Sequence, residues 1–208
     1  MTKKLSEEFS GPMLPFIALC VALNLTVGQI TAALKLPVYL DSVGTVLLAV
    51  LSGPVSAIVA GSFANLLASA MGNPPMMFFI PVVIVIGGFA SLVARLGAFK
   101  VWYFVLAGGI CQGILGAIVS APISAYVFGG VTMGAADFMV MLFRSSGFSL
   151  FESTLRQGLI MDPIDKTITF LVVYALIKNL PDRLLYRFPG VSNIKPAKSN
   201  LDRNLDAS

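Results

Sequence analysis

The stretch that decides the fold is residues 38–71, VYLDSVGTVLLAVLSGPVSAIVAGSFANLLASAM. Asp41 is its single charge. Read as one helix it has about 34 residues and a length of about 50 Å, far beyond the roughly 30 Å hydrocarbon core of a bilayer. Gly53-Pro54 divides it, because a proline inside a helix forfeits a backbone hydrogen bond and Gly-Pro favours a turn. The spacing therefore predicts one helix over 40–52 and another over 55–71.

Outward from there the chain keeps the same character. Met13 to Leu34 is an apolar run of about 22 residues, longer than a signal-peptide core, and Lys35-Leu36-Pro37 ends it. Glu7 and Glu8 interrupt the preceding leader (1–12) and no cleavage site follows, so the run reads as a retained first helix. Gly72-Asn73-Pro74-Pro75 is a turn. Met77–Arg95 reads as a fourth helix and Val101–Ala121 as a fifth. Trp102 and Tyr103 are its interfacial anchors, and Pro122 ends or kinks it. Asp162-Pro163-Ile164-Asp165 predicts the start of a last helix running to about Leu180, with Asp162 as cap and Pro163 in the first helical position. In the intervening 122–162 segment, Met133–Phe143 and Ser149–Ile160 read as short amphipathic or re-entrant helices. The basic tail, 183–208, reads as disordered.

Composition sets the class. Of 208 residues 57% are hydrophobic and 12% charged, and mean hydropathy is +0.89. A soluble domain carries about 25% charged residues. A soluble enzyme, a disordered chain and a fibrous protein are thereby excluded. The expectation is an all-α integral membrane protein: six transmembrane helices in a compact bundle, forming one membrane domain over 13–182.

With six spans, Lys3, Lys4, Arg95, Lys100, Lys178, Arg183, Arg187, Lys195, Lys198 and Arg203 share a side with both termini. Lys35, Arg144, Arg156 and Lys166 fall on the other. The positive-inside rule then predicts both ends in the cytoplasm and the 122–162 segment outside. The net charge of +4 is explained by this insertion bias and calls for no nucleic acid.

Catalytic patterns are missing. The chain has no His, no Gly-x-Ser-x-Gly and no phosphate-binding Gly-x-x-x-x-Gly-Lys-[Ser/Thr]. Cys20 and Cys111 both lie in apolar segments. No catalysis, metal or cofactor is expected. An intramembrane lipid-modifying enzyme would need a cluster of acids on one helix face, and the acids here are scattered. A solitary ion-driven carrier would need charges near the bilayer midplane, and none falls in the middle of an expected span.

Small residues repeat at four-residue spacing. Ala18-x-x-x-Ala22 lies on the first helix, Ala57-x-x-x-Gly61 on the third, and Gly109-x-x-x-Gly113-x-x-x-Ala117-x-x-x-Ala121 on the fifth. Such stripes let helix backbones approach closely. Polar residues within spans are Asn24, Thr26, Gln29, Asn65 and Gln112. Those on the outer side are Tyr39, Asp41, Asn73, Tyr126, Asp137, Arg144, Glu152, Arg156, Gln157, Asp162 and Asp165. A small-molecule pocket needs apolar walls with a few placed polar groups, and only the outer side offers that mixture. Candidate substrate contacts are Gln29, Tyr39, Asp41, Asn65, Asn73, Tyr126, Asp137, Arg144, Glu152 and Arg156. Asp41 has a competing role as a helix cap, Glu152 and Arg156 as an i,i+4 surface pair, and Asp162 and Asp165 as caps.

Residues 18–67, ALCVALNLTVGQITAALKLPVYLDSVGTVLLAVLSGPVSAIVAGSFANLL, together with 162–181, DPIDKTITFLVVYALIKNLP, resemble the substrate-binding S-component of energy-coupling factor (ECF) vitamin transporters. The resemblance implies a bacterial or archaeal cytoplasmic-membrane protein that captures a vitamin or related micronutrient outside. It implies a transmembrane coupling (T) subunit and two ATP-binding cassette ATPases as partners, with Ala18 and Ala22 docking on the coupling subunit. It places the ligand among the 36–42 loop, the 72–78 loop and the 122–162 segment. The long polar 122–162 segment departs from the family pattern, and no single vitamin is indicated.

Overall fold

A computed structural model describes residues 8–9, 13–132 and 134–194. Most of the 1–12 leader and the tail from 195 lie outside the described residues. Among the described residues the fold is helical, without strands. The main helices are α1 (Met13–Ala33), α2 (Val43–Leu51), α3 (Pro54–Ala70), α4 (Ile80–Arg95), α5 (Trp102–Pro122), α6 (Asp137–Ser145), α7 (Leu150–Asn179) and a short α8 (Asp182–Leu185). A 3-10 turn, Pro74–Phe79, leads into α4, and a π turn, Ile123–Val127, extends α5 beyond Pro122.

Three stretches are long and apolar enough to cross a bilayer: Met13–Ala33, Pro74–Arg95 and Trp102–Val127. α3 is a shorter apolar helix. Every residue of the nine-residue α2 is buried. The outer surface is apolar: Phe63, Leu92, Leu96, Trp102 and Ile118 are each more than half exposed, while Asp165 is 0% and Lys166 5% exposed. Grease outside and charge inside invert the pattern of a soluble protein and suit a lipid solvent.

The division at Gly53-Pro54 holds. Gly53 has φ +154°, and a Cβ there would lie 2.3 Å from the Glu8 carboxylate. That carboxylate accepts the Ser56 amide at 2.9 Å, satisfying a free donor at the start of α3.

Two expectations are overturned. Asp162-Pro163 does not open a helix. α7 runs unbroken for 30 residues from Leu150, with Pro163 inside it. Its cap is Ser149, whose hydroxyl accepts the Glu152 amide while Glu152 takes the Ser149 amide. Pro163 is accommodated because α5 presents glycine to it. A Cβ on Gly113 would meet Pro163 Cα at 2.3 Å, and one on Gly109 would meet Thr167 Cα at 2.6 Å. The fifth-helix stripe thus packs inward against α7, the most extensive helix contact in the fold. The tail, expected to be disordered from 183, is packed as far as Ile194. Leu185 and Phe188 are buried, and Phe188 meets Phe16 with ring centroids 4.6 Å apart. Both are large apolar side chains, and burying them repays the ordering of a short segment.

Candidate functional site

The continuity of α7 moves three charged residues into the body of a helix. Asp162, Asp165 and Lys166 stand near its middle, level with Gly113 and Gly116 of α5. The fully buried Asp165 accepts the Tyr39 and Leu40 amides through Oδ1, each at 2.8 Å. Its Oδ2 takes the Lys166 ammonium at 2.5 Å. Lys166 also donates to Ser42 Oγ at 3.0 Å and lies 3.9 Å from Asp41 Oδ1. Asp162, 9% exposed, accepts one hydrogen bond, from Ser120 Oγ at 3.4 Å. Asp165 and Asp41 therefore flank one ammonium, and Asp162 stands one turn before it on α7.

The 36–42 loop forms the roof. Leu40 has φ +49°, a left-handed conformation costing a branched residue roughly 1–2 kcal/mol. Asp165 holds that shape by gathering two consecutive amides. The Thr31 hydroxyl adds a bond to the Tyr39 carbonyl at 2.7 Å. The Tyr39 hydroxyl faces inward. Burial first, then the carboxylates of Asp162, Asp137 and Asp165, push its pKa above the usual value.

Two amides on the same pair of helices, α5 and α7, are also buried. Gln112 is 0% exposed, and neither its Oε1 nor its Nε2 has a hydrogen-bond partner among the described residues. Gln157 Nε2 is likewise buried and unpartnered. Each unsatisfied group costs about 1–3 kcal/mol. Among the described residues no three of His, Cys, Asp and Glu converge in a group that could hold a metal ion.

Of the residues singled out from sequence, Tyr39 and Asp41 belong to this cluster. Asp137 adjoins it: its carboxylate accepts the Thr132 amide and hydroxyl and the Gly134 amide, and Gly134 packs on the Tyr39 ring. The others are elsewhere. Gln29 is exposed and reaches Met71 Sδ at 3.7 Å, in an open groove also lined by Ala22, Thr26 and Ala33. Asn65 ties down Met76 O at 3.0 Å, and the neighbouring Asn73 Oδ1 has no partner among the described residues. Tyr126 is 76% exposed and stacks on Phe151. Arg144 bonds the Phe148 carbonyl at 3.4 Å, and Arg156 lies 4.0 Å over the Phe148 ring. Glu152 is taken up by the α7 cap.

Lys166 and Ser42 were missed, and Asp162 and Asp165 were assigned to capping. The available signal was Ser149-x-x-Glu152, a capping-box pattern. Starting the helix there puts Asp162-Pro163-Ile164-Asp165-Lys166 in its interior. No protein-family model, curated protein or solved structure matches the chain.

Proposed function

We propose that this chain is a substrate-binding membrane subunit of the ECF S-component kind. It captures a vitamin-like small molecule outside and delivers it inward with a coupling subunit and two ATPases. In this reading α1, α2, α3, α4, α5 and α7 make six crossings of a bacterial or archaeal cytoplasmic membrane, with both termini inside. The observation that carries the reading is the charged cluster of Asp162, Asp165 and Lys166, buried among apolar helices beside the partly exposed Asp41 and covered by a loop latched to Asp165. Burying that much charge is expensive in a membrane, and a ligand site accounts for it. Ala18 and Ala22 are exposed on α1, where small side chains leave room for a coupling helix.

The test is Ala18→Leu and Ala22→Leu in vesicles containing the coupling subunit and ATPases. Uptake is lost and substrate binding is retained; loss of both together counts against the assignment.

A second reading, a solitary ion-driven carrier, gains from one observation. The expectation that no charge stands mid-span rested on the helix start at Asp162, and that start is wrong. Asp162 lies opposite Gly113, near the middle of the α5 stretch. Uptake driven by an ion gradient in vesicles holding this chain alone, without ATP, would favour the carrier.

A further inference from the structure

We infer that the buried charged cluster around Asp162 recognises a small organic cation, a ring carrying a protonated amine or amidinium group. The inference rests on reading the chain as a small-molecule-binding transport protein and names the class of its substrate.

The charge balance points there first. Lys166 is committed to Asp165 at 2.5 Å and Ser42 at 3.0 Å, with Asp41 3.9 Å away. Asp162 is left with the Ser120 hydroxyl at 3.4 Å. A buried carboxylate so poorly served is complemented by a donor-bearing cation, whereas an anion brought against it meets like charge. The carboxylate lies against glycine on α5: a Cβ built on Gly116 would sit 3.8 Å from Asp162 Oδ2, whereas Gly158 packs on Ala117.

The amides are an independent observation. Gln112 lies on α5 between Gly109, which abuts the Lys166 carbonyl, and Gly113 and Gly116, which abut Asp162. Its side chain therefore leaves α5 at the level of the charges, fully buried, with donor and acceptor both unpartnered among the described residues. Gln157, on α7 before Asp162, is also buried, with its Nε2 unpartnered among the described residues. A carboxylate with one amide offering a donor and an acceptor and a second offering a donor matches a nitrogen-bearing ring with N–H groups on its edge.

The test uses the full chain in nanodiscs and a series of similar shape and different charge: benzamidine and benzylamine as cations, benzamide as neutral, benzoate as anion. Binding is read by native mass spectrometry and thermal shift. The cations bind more tightly than benzamide or benzoate by about tenfold or more, and Asp162→Asn removes that preference. Gln112→Leu melts no lower than the wild type, since an unpartnered amide is gone, yet loses the shift induced by benzamidine. Benzoate or benzamide binding as well as the cations overturns the inference. So does a lack of cation binding at millimolar concentration, or unchanged benzamidine binding in Asp162→Asn. Cation selectivity without ATP-dependent uptake retires the transporter-subunit reading and keeps this inference; uptake of a neutral or anionic substrate does the reverse.

Discussion

The Leu40 amide and the Asp165 carboxylate are 125 residues apart in the chain and 2.8 Å apart in space. That bond, with its neighbour from Tyr39, fastens the 36–42 loop to the middle of α7. Asp165 is also the near partner of Lys166, so the loop and the buried ion pair share one residue.

Removing one member of that pair strands the other. Lys166→Met leaves the fully buried Asp165 without its cation, and a broken buried pair costs about 3–5 kcal/mol. The double variant Asp165→Asn/Lys166→Met removes both charges and keeps an oxygen for the loop amides. Its melting temperature in detergent recovers most of the loss. A double variant as unstable as the sum of the singles would show that the two do not act as a pair.

The α5–α7 contact predicts a contrast between glycines. Gly113→Ala drives a methyl into the Pro163 backbone at 2.3 Å and destabilises by about 1–3 kcal/mol. Gly88→Ala, on α4, meets nothing within 4 Å and stabilises by about 0.5–1 kcal/mol through helix propensity. Melting curves of the two variants should move in opposite directions.

Much of this fold was legible because its signals are local. Gly53-Pro54 breaks a helix wherever it occurs, and the apolar runs of α1, α4 and α5 are long enough to declare themselves. α7 was not, because two local signals conflicted. Asp162-Pro163 is a good helix start in isolation, and Ser149-x-x-Glu152 is another. The arbiter is the glycine face of α5, which lets a proline sit inside a packed helix, and that is tertiary information. The site followed suit: Tyr39 and Asp41 were found in the stretch already under scrutiny. Lys166 read as one more outside charge until α7 became continuous.

The α7 cap makes a pH prediction. Hydrogen bonds from Ser149, its hydroxyl first and then its amide, hold the exposed Glu152 carboxyl below its usual 4.5. A depressed folded value means the contribution is present above that usual value and is lost as pH falls through the folded one. Glu152→Gln preserves the box and removes the titration, so the wild type loses stability relative to this variant on acidification from about pH 6 to about pH 3. Ser149→Ala costs about 1 kcal/mol at neutral pH. Neither change reaches Asp162, and benzamidine binding stays at the wild-type level in both.

The packed tail can be tested by protease. Leu185 is fully buried, Phe188 lies against Phe16, and a Cβ on Gly190 would strike the Val50 carbonyl at 2.3 Å. The segment therefore closes the end of α2, which explains how a nine-residue helix is buried along its whole length. Phe188→Ala removes the aromatic anchor and costs about 3 kcal/mol, enough to release the segment without unfolding the helices behind it. Trypsin spares Arg183 and Arg187 in the wild type, because their backbone is held in helix and turn, and cuts both in Phe188→Ala. Equal cutting in the two proteins would mean that the segment is not docked, and that α2 owes its burial to something else.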